Sequence, residues 1–220
     1  MNIKKQLLVL TLSVVLEFAV SIGILCFQNS VFMTLPLFVR AVLMIVLRWL
    51  LLIVPFAFMK LFNIKLSDIG FKKAKIVNQI FIGIILGLAM SLVFTVLPIF
   101  AGFKDMVGST SYTQIWQFCY QFVYMIFGVA LAEEIFFRGF LFERIISMSQ
   151  SKWAAIIISS CAFGLFHIFN GNIIQVFTTS LLGILFCICR DKIKNCTTLS
   201  LIIMHGINNA LITLFVAILP

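Results

Sequence analysis

Apolar residues run along this chain in long, nearly unbroken blocks, separated by short polar interruptions. A spanning helix needs about 20 predominantly apolar residues. Seven blocks meet that requirement: 7–27, 35–59, 76–100, 115–142, 153–169, 172–189 and 197–219. The first follows "MNIKK", as in a secretory leader, but the apolar run is too long for one and no A-x-A site follows. It reads as a retained first transmembrane helix. The turn "FNGN" at 169–172 carries the Asn-Gly signal between the fifth and sixth blocks. No repeat or linker divides the chain, so the pattern predicts one transmembrane domain over residues 1–220. The fold class is all-α, a polytopic integral membrane helical bundle of about seven transmembrane helices.

Composition sharpens this picture. The chain is 63% hydrophobic and only 10% charged, against roughly a quarter charged in a soluble domain. Lipid is therefore the main solvent. The net charge of +9 does not mark a nucleic-acid binder, because the basic residues lie in short loops with no aromatic-basic face. They orient the chain instead. With the N-terminus cytoplasmic, inner loops hold Lys4, Lys5, Lys60, Lys65, Lys72, Lys73, Lys75, Arg144, Lys152, Arg190, Lys192 and Lys194, and outer loops hold only Lys104. That asymmetry follows the positive-inside rule. The six cysteines form no C-x-x-C pair and read as buried free thiols.

Ionisable side chains at membrane depth are costly and mark function by default. Glu133, Glu134 and Arg138 lie in the fourth block, His167 in the fifth, and His205 and Asn209 in the seventh. At about 1.5 Å rise per residue, Glu133 lies roughly 16 Å deep, His167 roughly 22 Å, and His205 to Asn209 roughly 13 to 20 Å. Glu134 and Arg138 are four apart and can pair on one helix face. Glu133 is turned about 100° from Glu134 and could face a cavity. Phe163, four residues before His167, could wall the site near the imidazole. Glu17 and Arg48 reach about the same depth, roughly 18 Å, and are expected to pair between the first two helices. Arg40 lies nearer the outer surface and can snorkel there.

Such a set can activate water. A carboxylate in an apolar cavity becomes a useful base, Glu with His can hold a water, and His with Asn can stabilise an oxyanion. Glu133, His167 and His205 could instead be three ligands of a catalytic zinc with an open fourth position. The cofactor is thus open: the glutamate-water scheme requires none, and zinc is the alternative. Structural glue between helices and a transporter's proton relay use the same residue types, but a transporter more often shows duplicated halves. Gly83 and Gly87 form a GxxxG that allows close helix packing.

The motifs "EEIFFR" (133–138), "FGLFH" (163–167) and "HGINN" (205–209) resemble those of the CPBP family of intramembrane peptidases, which includes the CAAX-prenyl-protease and bacteriocin-processing (Abi) proteins. Order, spacing and placement on separate helices agree, and the motif-bearing core covers about residues 115–213. The resemblance implies that Glu133 and His167 activate water, that His205 and Asn209 stabilise the oxyanion, and that Glu134 and Arg138 support them. It implies an intramembrane endopeptidase in a cell membrane, expected to be bacterial, acting on a membrane-associated peptide or small protein, with lipid as its other partner. The rival reading on the same fold is a non-proteolytic bacteriocin self-immunity or scaffold protein.

Overall fold

Helices account for every regular element of the computed structural model, which describes residues 3–170 and 173–220. Gly171 and Asn172 of the expected Asn-Gly turn lie outside the described residues. Five helical stretches are long and apolar enough to cross a membrane: Lys4–Ser30, Leu37–Leu61, Ile76–Phe100, Ile173–Lys192 and Thr198–Ile218. These correspond to the first, second, third, sixth and seventh expected blocks. The remaining two blocks are also helical but differ in kind. The fifth, Lys152–Phe166, has 15 residues and reaches about 22 Å, short of the roughly 30 Å hydrocarbon core. The fourth is helical from Ile115 to Ser149, but it is interrupted by wider π turns and carries five charged side chains.

Prolines account for two of the irregularities. The second span is divided into α2 (Leu37–Leu50) and α3 (Ile53–Leu61), after α1 (Ile3–Ser30). Pro55 cannot donate to the carbonyl of Leu51 and its ring crowds that turn, so the helix breaks at Leu51 and Leu52. In the third span, α4 (Ile76–Ser91) passes through a π stretch, Leu92–Val96, before α5 (Leu97–Phe100). Pro98 similarly removes the hydrogen bond to Phe94.

The chain divides into two compact units. One comprises Met1–Phe71 and Ala132–Lys194, the other Lys72–Leu131 and Asn195–Pro220. The second unit also holds the short α6 (Lys104–Val107) and α7 (Ile115–Val123), which continues through the π stretch Tyr124–Ala130. Its principal contact is α4 against α12 (Thr198–Ile218). A Cβ on Gly83 would stand 2.7 Å from the Ser200 carbonyl oxygen, and one on Gly87 2.9 Å from that of Met204. The expected GxxxG packing is therefore present, with the backbone of α12 as its partner. In lipid such contacts rest on close van der Waals packing rather than on exclusion of water. Gly87→Leu should consequently force α4 and α12 apart, costing about 1–3 kcal/mol or more, to be read as a lowered unfolding temperature in detergent.

The first unit is built around the stretch that follows the paired glutamates. α8 (Leu131–Glu134) leads into a π stretch, Ile135–Leu141, and then α9 (Phe142–Ser149). Phe136, Phe137 and Phe140 are fully buried there. α10 (Lys152–Phe166) begins at Ser151, whose hydroxyl accepts from the Ala154 N–H, and packs along α11 (Ile173–Lys192). Loops expected on the cytoplasmic side come together within this unit: Lys152 pairs with Asp191, Arg190 with Glu143, and Asp68 feels Arg144. The Lys65 backbone N–H, which hydrogen-bonds Asp68, is the main reason its carboxyl is held below the usual carboxylate range; the fields of Lys65 and Arg144 add to the effect.

All six cysteines are free, but the expectation of burial holds only for Cys187 and Cys196. Cys26, Cys119 and Cys161 are exposed. In a membrane fold an apolar side chain satisfies its environment equally well facing lipid, so hydropathy does not predict burial. The same reasoning covers exposed residues such as Phe38, Phe81 and Phe177.

Candidate active site

Glu134 and Arg138 meet as their spacing requires. Arg138 Nη1 donates to Glu134 Oε1 at 2.9 Å, and both side chains are fully buried. The guanidinium is also held between aromatic faces, 3.9 Å from the Phe163 ring centroid on α10 and 4.9 Å from that of Phe186 on α11. Its Nε and Nη2 have no hydrogen-bond partner among the described residues. Ring quadrupoles thus supply part of the stabilisation that water would give. Room for this arrangement comes from Gly183, where a Cβ would stand 3.0 Å from Arg138 Nη2 and 3.0 Å from Ser160 Cβ.

The backbone beneath this pair is unusual. π turns recur at functional sites because an inserted residue widens the helix and re-aims side chains. Here the one-turn α8, with Glu133 and Glu134, lies between two π stretches. Arg190 donates from Nη1 to the Arg138 carbonyl and from Nη2 to Glu143. A second arginine therefore supports the π stretch from α11, a role the basic-loop count alone could not reveal.

His167 stands at the C-terminal cap of α10 and is half-buried. Its Nδ1 is 2.9 Å from the Phe163 carbonyl oxygen. A carbonyl can only accept, so in the neutral ring Nδ1 carries the proton and Nε2 keeps the lone pair. The Phe163 ring lies edge-on to the imidazole at 4.7 Å between centroids. Phe163 therefore does more than wall the site: its carbonyl sets the tautomer, and its ring faces Arg138.

Glu133 is 3% exposed and stands within electrostatic reach of Glu17. This corrects the expected Glu17–Arg48 pair, since among the described residues Glu17 forms no ion pair. Equal depth on neighbouring helices says nothing of rotation about the helix axis, and rotation turns Glu17 inward while Arg48 is only half-buried.

The second unit carries the third motif. His205 is 4% exposed on α12. The next residue, Gly206, packs so closely on the π stretch Tyr124–Ala130 that a Cβ would come within 2.5 Å of Ile126. Asn209 is half-buried and Asn208 almost fully buried. Asn208 Oδ1 accepts from Ser91, and its amide reaches Asn209 Oδ1, both at 3.5 Å. Helical spacing from His205 singles out Asn209, and no sequence signal distinguishes the role of Asn208.

Within the first unit, then, Glu134, Arg138, Phe163 and His167 form one connected group, with Glu133 on the adjoining turn. His205 and Asn209 share α12 in the second unit. Among the described residues, no group of three or more His, Cys, Asp or Glu is placed to hold a metal ion.

Residues 115–211 match the family model Rce1-like, described as "Type II CAAX prenyl endopeptidase Rce1-like". The matched region contains all three motifs and bears out the resemblance they carry. No curated protein and no solved structure matches the chain. The five apolar helices make this an integral membrane protein, and over residues 115–211 it is similar to the CAAX-type endopeptidases.

Proposed function

We propose that the chain hydrolyses a peptide bond of a membrane-associated peptide or small protein, using water activated by Glu133 with His167. The observation that carries this reading is the division of labour between the adjacent glutamates. Glu134 pairs with a buried arginine, and Glu133, one residue earlier on the same nearly sealed turn, is the acid to which the first motif assigns the base.

In this scheme the water gives one proton to Glu133 while hydrogen-bonding through another to His167 Nε2. Its oxygen bonds to the carbonyl carbon, leaving negative charge on the carbonyl oxygen. The resemblance of the third motif assigns stabilisation of that oxyanion to His205 and Asn209. The C–N bond then breaks, the proton held by Glu133 passes to the departing nitrogen, and a carboxylic acid and an amine leave. Every step uses side chains of this chain, with no step assigned to a metal. Support comes from the similar depths that helical rise predicts for the motifs, the tautomer imposed on His167 and the family match that spans them.

The test is a mass-spectrometric comparison of new peptide termini in membranes of cells expressing wild-type protein or Glu133→Gln. Termini present only with the wild type are expected. Identical termini in the two samples would remove the peptidase reading, and elemental analysis of the active protein would report any bound zinc.

A further inference from the structure

The first helix turns apolar residues outward, as lipid favours, and a polar stripe inward. Along α1, Ser13, Glu17 and Ser21 recur every fourth residue, and all three are buried, while Leu8, Leu12, Val15 and Leu16 are exposed. A membrane helix that turns a carboxylic acid inward has a use for it there, because an intramembrane acid is costly and apolar residues are available at no such cost.

Three observations locate this acid. Glu17 is 1% exposed, and its Oε2 has no hydrogen-bond partner among the described residues. Its carboxyl stands within electrostatic reach of Glu133. The adjacent Phe18 packs edge-on against Phe166 at 5.6 Å, and Phe166 lies 5.9 Å from the His167 ring. Glu17 is therefore brought to the level of both water-activating residues by contacts that do not depend on charge. A purely structural role fits poorly, since structural buried acids are paired or fully hydrogen-bonded. A second acid set beside Glu133 in an apolar setting opposes folding, an expense typical of functional sites.

We propose that Glu17 is a third side chain of the water-activating site, contributed by α1, whose free carboxyl oxygen holds the hydrolytic water beside Glu133. This role rests on the peptidase function proposed for the chain. It assigns chemistry to a helix outside the matched region of residues 115–211, so the site is incomplete without the first helix.

The experiment compares Glu17→Leu, Glu17→Gln, Glu133→Gln and the Glu17→Leu/Glu133→Gln double variant, purified in detergent. The probe is a synthetic copy of a peptide whose cleavage in membranes depends on Glu133. Glu17→Leu should lower kcat about tenfold to a hundredfold, the range for a misplaced reactant, with KM unmoved. Its unfolding temperature should equal or exceed that of the wild type, because a buried acid beside another has been removed. Glu17→Gln, which can still hydrogen-bond water, should retain more activity than Glu17→Leu. In the double variant the stability gains of the single changes should combine to less than their sum, a coupling that requires no activity to measure. Unchanged kcat in Glu17→Leu overturns the proposal, as does a fall in unfolding temperature that accounts for the lost activity. Absence of any Glu133-dependent cleavage removes the peptidase reading and this role together. Glu133-dependent cleavage that survives Glu17→Leu removes Glu17 alone.

Discussion

Glu133→Gln is expected to lower peptide hydrolysis by about a hundredfold or more, the usual contribution of a positioned base, while leaving insertion intact and thermal stability equal to or above that of the wild type. The substitution preserves volume and hydrogen-bonding capacity but cannot accept the proton of water. Because Glu133 is almost fully buried, bulk solvent cannot readily replace it, so little residual base catalysis should remain. Comparison with Glu134→Gln separates the adjacent acids. That change breaks the ion pair with Arg138 and should be felt first as lost stability. Undiminished cleavage by purified Glu133→Gln would take Glu133 out of the mechanism, and the base would have to be sought elsewhere.

Arg138→Ala should destabilise the protein by about 3–5 kcal/mol, the cost of breaking a buried ion pair. Two consequences of truncation coincide here. Glu134 loses the cation at 2.9 Å, and the space between Phe163 and Phe186 that the guanidinium fills becomes a cavity. The expected readout is a large drop in unfolding temperature in detergent and a low yield. Arg138→Met with Glu134→Gln should recover most of the loss, because a buried pair replaced by apolar or neutral groups of similar volume is often neutral or stabilising. A stable but inactive Arg138→Ala protein would instead place the guanidinium in contact with substrate.

Much of this protein is legible in one dimension. Lipid is an apolar solvent, so it imposes length and composition on each segment, and the apolar blocks could be read directly as helices. The GxxxG at Gly83 and Gly87 was equally readable, since two small residues one turn apart serve one purpose wherever helices touch. The Glu134–Arg138 pair followed from spacing of four on a single helix, a relation that needs no tertiary information. The motif residues were recognisable because chemistry confines them to few residue types at set intervals.

Other features depended on rotation and on backbone detail, which periodicity cannot supply when nearly every face of a helix is apolar. The inward turn of Glu17, the exposure of Cys26, Cys119 and Cys161, and the failure of Glu17 and Arg48 to pair all have this origin. The π stretches on either side of Glu133 and Glu134, and the support that Arg190 gives the Arg138 carbonyl, leave no mark on hydropathy. The tautomer of His167 is set by a carbonyl four residues earlier, a contact available only once α10 ends at that imidazole. Sequence by itself determined which segments enter the membrane and which residue types carry the chemistry, because transfer to lipid and helical spacing are local properties. The tertiary structure alone decided which way each helix faces, because in an apolar solvent that choice rests on close packing and on the few polar contacts that must be satisfied.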